Sequence, residues 1–268
     1  MRWLGWFFLV VCLSLPAAAS GQASGDVKVT LDPAVAGKPS RLSVVASGQA
    51  TSSGQESPKS VSLLITRGFK IDPLSRAERC SADQAKSFAC PPGSKVATGS
   101  ASGQVTVPPF PPFDFTATAE AFLTPNVQPG DIAGVVVQVR EPKSGRQASI
   151  QGRLLTVAGD ATFGDELRFE NFDSMQQALP PGASARLDRL ELSVEAHRTV
   201  RRTRTVKRRV RTSHGRTRVV RRRKVSVKRY DLITNPRTCT GSWPYQVRVT
   251  FPSSQMVRDG SVPCSSSR

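Results

Sequence analysis

The residues with the most evident chemistry are 16 Lys and Arg side chains that fall within the 32 consecutive positions from Arg198 to Arg229. This tract contains no Asp or Glu, whereas the rest of the chain holds 22 basic and 20 acidic residues. The tract therefore supplies +16 of the formal net charge of +18. Charge concentrated in this way attracts polyanions over a range that salt sets. The tract predicts binding to anionic polymers or to an anionic membrane surface.

The composition of the tract predicts how the chain presents these charges. Seven Val and five Thr accompany the basic residues, while Leu, Ala and Glu are absent, which favours a β-hairpin over a helix. The only turn signal is Ser213-His214-Gly215-Arg216, and a two-residue loop at its centre pairs residues whose numbers sum to 429. Six of the seven valines then share one face. The other face carries the predicted polyanion-binding residues Arg201, Lys207, Arg209, Arg211, Arg216, Arg218, Arg222, Lys224 and Lys228.

This register has a weakness, and the tract has other interpretations. Like charges that face each other destabilise a ladder, and three such pairs are Arg208–Arg221, Lys207–Arg222 and Arg201–Lys228. One alternative is a solvated hairpin whose charges protect its edges from pairing. Another is a disordered or protease-processed linker. Because the tract lacks Phe, Tyr and Trp, it cannot stack on bases, so no sequence-specific nucleic-acid binding is expected.

Residue types that catalyse reactions are sparse. The two histidines are His197 and His214, and no C-x-x-C pair occurs, so we predict no catalytic residues, no metal site and no cofactor. Glu195 precedes His197 by two residues on a predicted strand, so the two side chains could orient each other, but no Ser nucleophile accompanies them. A hydrolase with a paired-carboxylate site stays open as an alternative. Its candidate residues form one acidic cluster, Asp160, Asp165, Glu166, Glu170 and Asp173.

The N-terminal segment and the cysteines predict export. A 13-residue apolar run, Trp3 to Leu15, is followed by Pro16 and small residues, as in a secretory signal peptide that ends within residues 1–23. The run is too short for a transmembrane helix, and no later segment is apolar enough to be one. Removing the signal leaves Cys80, Cys90, Cys239 and Cys264. Of the three possible pairings we favour Cys80–Cys90 with Cys239–Cys264, because each closes a short loop.

The elements that must position the tract are mainly strands. Runs rich in Val, Thr and Phe, most of them alternating with period two, are separated by turn residues. They predict strands over residues 27–31, 42–45, 61–66, 115–122, 132–139, 149–154, 167–169, 187–194 and 245–251. No βαβ alternation occurs, so the fold class is all-β, with β-sandwich-like packed antiparallel sheets, a long basic hairpin insertion and little helix. Short helices are predicted after Ser81, which can serve as N-cap, and over Asp173 to Leu179.

Several short motifs resemble a group of uncharacterised exported actinobacterial proteins. The motifs are Gly68-Phe69-Lys70, Cys80, Cys90-Pro91, Gly93-Ser94-Lys95-Val96, Asn235-Pro236, Cys239, Trp243 and Val262-Pro263-Cys264. The resemblance implies export, two disulfides and a β-rich domain. It implies no activity and transfers no active-site residues. It also implies that the hairpin holding the tract is short in such relatives, so the basic extension belongs to this chain.

These inferences predict three parts: a signal peptide (residues 1–23), a β-rich domain (24–197 and 230–268) and a basic hairpin arm (198–229). The predicted function is a non-enzymatic exported or cell-envelope protein that binds anionic envelope polymers or surfaces through the arm. A structural or protein-interaction sandwich, with the arm as a mere solvated extension, is the alternative. The cryptic hydrolase is a third.

Overall fold

The structure is a computed structural model that describes residues 24–49, 59–170, 183–211 and 217–267. The predicted signal peptide, the predicted helix over Asp173 to Leu179 and the turn residues 212–216 lie outside the described residues. Of the described residues, 62% lie in strands and 5% in helices, and large antiparallel sheets pack together. The all-β, sandwich-like prediction is therefore confirmed. No described helix has the length and apolar character to cross a bilayer.

The bounds of the elements are as follows. The strands are β1 (Ser24–Asp32), β2 (Arg41–Gln49), β3 (Ser60–Thr66), β4 (Lys70–Ile71), β5 (Lys95–Thr106), β6 (Phe113–Thr124), β7 (Ala133–Arg140), β8 (Gln147–Thr156), β9 (Phe163–Glu170), β10 (Ser184–Val194), β11 (His197–Arg211), β12 (Thr217–Asp231), β13 (Ile233–Thr234), β14 (Ser242–Thr250) and β15 (Gln255–Pro263). The one α-helix among the described residues, α1, is Ala82–Lys86, and short 3-10 turns span Pro73–Ser75 and Pro92–Ser94.

Eleven of the strands form one antiparallel sheet that curls over onto itself. Its order is β1-β2-β10-β5-β6-β7-β8-β9-β3-β14-β15. The first and last strands meet, because a bridge joins Val35 to Ser265 and the Ala36 N–H donates to the Ser265 carbonyl at 2.9 Å. The Tyr245 hydroxyl of β14 donates to the Val27 carbonyl of β1 at 2.9 Å. Curling lets one sheet supply both packed layers.

The two predicted disulfides are both present. Cys80 bonds to Cys90 and Cys239 bonds to Cys264, closing sequence separations of 10 and 25 residues. Disulfides are typical of an oxidising, extracytoplasmic compartment. Between the first pair, Ser81 caps α1 in a capping box with Gln84, which confirms the predicted helix and its N-cap.

The main apolar cluster between the sheet ends surrounds Trp243. This side chain is only 4% exposed, and its ring meets that of Phe69 edge to face at 5.6 Å. The indole N–H donates to the Thr238 carbonyl at 3.0 Å. Val29 and Val262, from the first and last strands, belong to the same cluster. Trp243 therefore holds together the two edges that the curled sheet brings into contact.

A buried ion pair stabilises the loop between β6 and β7. The Asp131 side chain is 1% exposed and accepts from Arg153 at 2.7 Å and from the Gln128 N–H at 2.8 Å. The hydrogen bond from Arg153 lowers the pKa of Asp131, an effect that burial opposes and that the backbone N–H of Gln128 reinforces.

Asp131→Asn is expected to lower the free energy of unfolding at pH 7 by about 3 kcal/mol, because it leaves the Arg153 charge uncompensated. A carboxylate whose pKa is lowered by folding stabilises the folded protein fully at any pH above its unfolded-state pKa of about 3.9. This stabilisation is lost as the pH falls through the folded-state pKa. Urea unfolding of wild type and variant should therefore converge as the pH falls through the lowered folded-state pKa of Asp131. An equal difference at pH 7 and in acid would contradict this role.

Candidate polyanion-binding arm

The basic arm consists of β11 and β12, two antiparallel strands of 15 residues each. They form a separate two-stranded sheet, and among the described residues neither is hydrogen-bonded to a strand of the large sheet. At about 3.3 Å per residue the ladder is roughly 50 Å long. The predicted hairpin insertion is thus confirmed.

The predicted register of the hairpin is wrong by one residue. His197 pairs with Asp231 and Arg211 with Thr217, so partner numbers sum to 428 along the whole ladder. Because side chains alternate along a strand, a one-residue slip moves one strand's residues to the opposite face. Even-numbered residues of both strands share one face, which we call the even face, and odd-numbered residues share the odd face.

Electrostatics explains why this register is preferred. The predicted register opposes four pairs of cations, the three named above and Arg211 with Arg218. The observed register opposes two, Arg204 with Lys224 and Lys207 with Arg221. Six of the seven valines instead lie opposite a Lys or Arg. The methylene stem of a long cation can lie along an aliphatic neighbour while its charge stays in water. The observed register therefore separates like charges at the expense of the valine face.

The slip divides the predicted binding residues between the two faces. Arg201 and Lys207 lie on the odd face, whereas Arg222, Lys224 and Lys228 lie on the even face. Three others occupy ladder positions: Arg209 opposite Val219, Arg211 opposite Thr217 and Arg218 opposite Val210. Arg216 lies outside the described residues. The prediction that these cations share a single face is therefore wrong.

Both faces also carry cations that were not among the predicted binding residues. The even face carries the described side chains Arg198, Arg202, Arg204, Arg222, Lys224 and Lys228, and the odd face Arg201, Lys207, Arg221, Arg223 and Arg229. The described valines are also divided, because Val200 and Val206 lie on the even face and Val219, Val225 and Val227 on the odd face. Counting opposed like charges in each possible register is the sequence signal that separates the two arrangements.

The described charges of the arm are exposed to solvent. All eleven described Lys and Arg side chains of the tract are exposed. Among the described side chains of the arm we find one ion pair, Arg229 with Asp231 at 2.6 Å, and it lies at the base. Lys228 covers the Tyr230 ring with its ammonium 4.5 Å from the ring centre, also at the base. Among the described residues, carboxylates of the body do not pair with the cations of the distal arm, so these cations are available to an external anion.

The arm is firmly attached where it meets the body. Just inside it, the Leu232 N–H donates to the Ala196 carbonyl at 2.8 Å, and the Asp72 N–H donates to the Leu232 carbonyl at 2.9 Å. Ala196, Leu232 and Ile233 are buried in the same apolar cluster as Val96 of β5. These hydrogen bonds and buried side chains anchor both ends of the arm in the body.

Glu195 and His197, which the sequence suggested could orient each other, have other neighbours. Both nitrogens on one side of the Arg41 guanidinium donate to Glu195. His197 is exposed and lies opposite Asp231 in the arm. A shallow cleft of about 300 Å³ beside the base of the arm is lined by Arg41, Lys95 and Glu195, among others. Two cations of this cleft are neutralised, because Arg41 pairs with Glu195 and Lys95 pairs with Glu120 at 2.9 Å.

The acidic cluster does not converge on one site. Asp165 and Glu166 are neighbours on β9 and therefore point to opposite faces. Burial raises the pKa of Asp165. Burial also opposes ionisation of Glu166, but hydrogen bonds from Arg168 and Ser62 outweigh it and lower the pKa.

The remaining members have separate roles. The Phe163 and Thr162 N–H groups donate to Asp160 and lower its pKa. Glu170 lies 3.9 Å from Arg168. Asp173 lies outside the described residues. Glu166 and Glu170 thus share Arg168, whose charge lies between them, whereas Asp160 is held by loop N–H groups.

Comparison with known proteins adds no assignment. No protein-family model, curated protein or solved structure matches the chain.

Proposed function

We propose that the protein is a non-enzymatic, exported or envelope-associated protein that binds anionic polymers or surfaces through the basic arm. The observation that carries the proposal is the arm itself: a ladder roughly 50 Å long that is separate from the large sheet and whose described cations are exposed. The two disulfides support an oxidising compartment. There the available polyanions are envelope polymers, acidic polysaccharides and lipid head groups.

The physical basis is the release of counterions from the partner. A polyanion carries condensed counterions, and each Lys or Arg that neutralises one of its charges releases them. The arm supplies roughly one cation per 3 Å of its length, so many such contacts form at once. Body residues outside the tract are nearly neutral, with 22 basic and 20 acidic side chains, and contribute little to this attraction.

The test is salt-dependent binding of the signal-free protein to heparin and to phosphate polymers. With about 6–10 contacts, raising NaCl from about 50 to about 200 mM is expected to weaken binding to a phosphate polymer about 10³–10⁵-fold. Binding that is weak at low salt, or that does not respond to salt, would contradict the proposal. That result would favour the alternative in which the arm is only a solvated extension of a structural or protein-interaction module.

A further inference from the structure

The observed register says what kind of polyanion the arm fits. We propose that the ligand is a flexible, single-chain polyanion that contacts both faces of the arm, and not a bilayer surface that contacts one. This inference rests on the proposed function and specifies its ligand class. It follows from the distribution of charge, because six of the described cations lie on the even face and five lie on the odd face.

The first step concerns the apolar side chains. A hairpin that inserts into a bilayer surface needs an apolar face towards the acyl chains and a charged face towards water and head groups. Even the predicted register would not have provided an apolar face, because the face with six valines would also have carried seven Arg residues. In the observed register Val206 lies among the cations of the even face, while Val225 and Val227 lie among those of the odd face. Neither face can therefore enter the apolar region without burying charge.

The second step concerns distance. Side chains extend from a strand so that charges on opposite faces of a ribbon lie about 10 Å or more apart, judged from the spacing of packed sheets. At physiological ionic strength the screening length is about 8 Å. A flat anionic surface against one face therefore leaves the other face largely screened. A chain that bends around the ribbon reaches both sets of cations.

The third step concerns the edges and the spacing of charge. Along either face, side chains two residues apart are separated by roughly 7 Å. The even face has Arg202 beside Arg204 and Arg222 beside Lys224, and the odd face has Arg221 beside Arg223. Each face thus offers cations on both strands to a polymer that crosses the ribbon from one edge to the other.

Two matched variants test the inference. The even-face variant carries Arg202→Gln, Arg204→Gln, Arg222→Gln and Lys224→Gln. The odd-face variant carries Arg201→Gln, Lys207→Gln, Arg221→Gln and Arg223→Gln. Each removes four charges, and each removes one of the two opposed cation pairs of the ladder. A charge-retaining control, Arg202→Lys with Arg204→Lys and Arg222→Lys, should bind as wild type does.

The readout is the slope of log affinity against log salt, with poly(dT) as the flexible probe and vesicles containing phosphatidylserine as the bilayer probe. For a single strand the slope changes by about 0.7 per contact, so each four-charge variant is expected to flatten it by about 3. Equal flattening by both variants is the expected result. Circular dichroism of each variant verifies that the sheet is retained.

One-sided contact gives a different pattern. If only one variant changes the slope on poly(dT), or if neither does while wild type still binds, the two-face inference is overturned. It is also overturned if wild type binds the vesicles more tightly than poly(dT) at equal salt and each single-face variant keeps that affinity by presenting its other face. The proposed function fails separately, if wild type and a chain without the arm bind both probes equally.

Discussion

Replacing residues 200–228 by Asn-Gly is expected to abolish binding to heparin and to phosphate polymers while leaving the body folded. The replacement removes 14 of the 16 basic residues of the tract. It also keeps the paired residues Thr199 and Arg229, which a two-residue turn can join. Because this deletion removes almost all of the charge available to an external anion, we expect no measurable retention at about 150 mM salt, where surface charges are screened beyond about 8 Å.

The stability of the shortened chain is the control. Deleting exposed ladder residues removes no packing from the clusters around Leu232 and Trp243, so the free energy of unfolding should change by less than about 1 kcal/mol. Chemical unfolding followed by circular dichroism measures this. Unchanged retention on heparin would assign binding to the body. Loss of the sheet signal would instead show that the arm is an integral part of the fold.

Trp243→Ala is expected to lower the free energy of unfolding by about 3–5 kcal/mol, the usual cost of removing a buried aromatic side chain. The indole is 4% exposed, packs on Phe69 and donates a hydrogen bond to the Thr238 carbonyl. Its loss leaves a cavity where the first and last strands meet. Urea unfolding followed by circular dichroism is the measurement. Tryptophan fluorescence cannot be used, because Trp243 is the only tryptophan outside the predicted signal peptide and the variant lacks it.

The matched control is Phe110→Ala, which truncates a side chain that is 66% exposed at the turn between β5 and β6. We expect the free energy of unfolding of this variant to lie within about 0.5 kcal/mol of the wild-type value. A similar loss of stability in both variants would contradict the assignment of Trp243 to the closure of the sheet.

The sequence predicted those strands in which apolar and polar side chains alternate along the strand itself. β3 and β14 alternate Val, Leu, Tyr or Ile with polar residues, and the prediction placed strands there. It missed β5, whose centre is Gly, Ser and Ala. In the sheet a Cβ at Gly99 would lie 1.8 Å from the Glu191 carbonyl oxygen of β10, so glycine allows the two backbones to approach. Only the identity of the neighbouring strand reveals that requirement.

The last strand shows the same limit. β15 contains Asp259 and Gly260 and has no clear period, and the prediction omitted it. Gly260 pairs with Tyr245, and a Cβ there would lie 2.3 Å from the tyrosine ring. The glycine makes room for an aromatic ring on the partner strand. Such a relation is a property of the pair and cannot be seen in either strand alone.

The register of the arm was predictable in part. Composition predicted a hairpin and its approximate centre, and both strands are present. The predicted loop assumed an even number of turn residues, whereas the observed ladder pairs residues symmetrically about position 214. Sorting valines onto one face favoured the wrong choice, because that face has no sheet to pack against. Repulsion between opposed cations, which the sequence also contains, is the larger effect for an isolated ribbon.

The position of the disulfides has a mechanical consequence. A polymer bound as we propose would pull on the chain through Ala196 and Leu232, where the chain enters the apolar cluster on either side of the arm. Cys80 lies eight residues after Asp72, which is hydrogen-bonded to Leu232, and Cys239 follows Leu232 by seven residues. Tension on the tether therefore reaches covalently closed loops soon after it enters the body, so the anchorage resists unravelling under load.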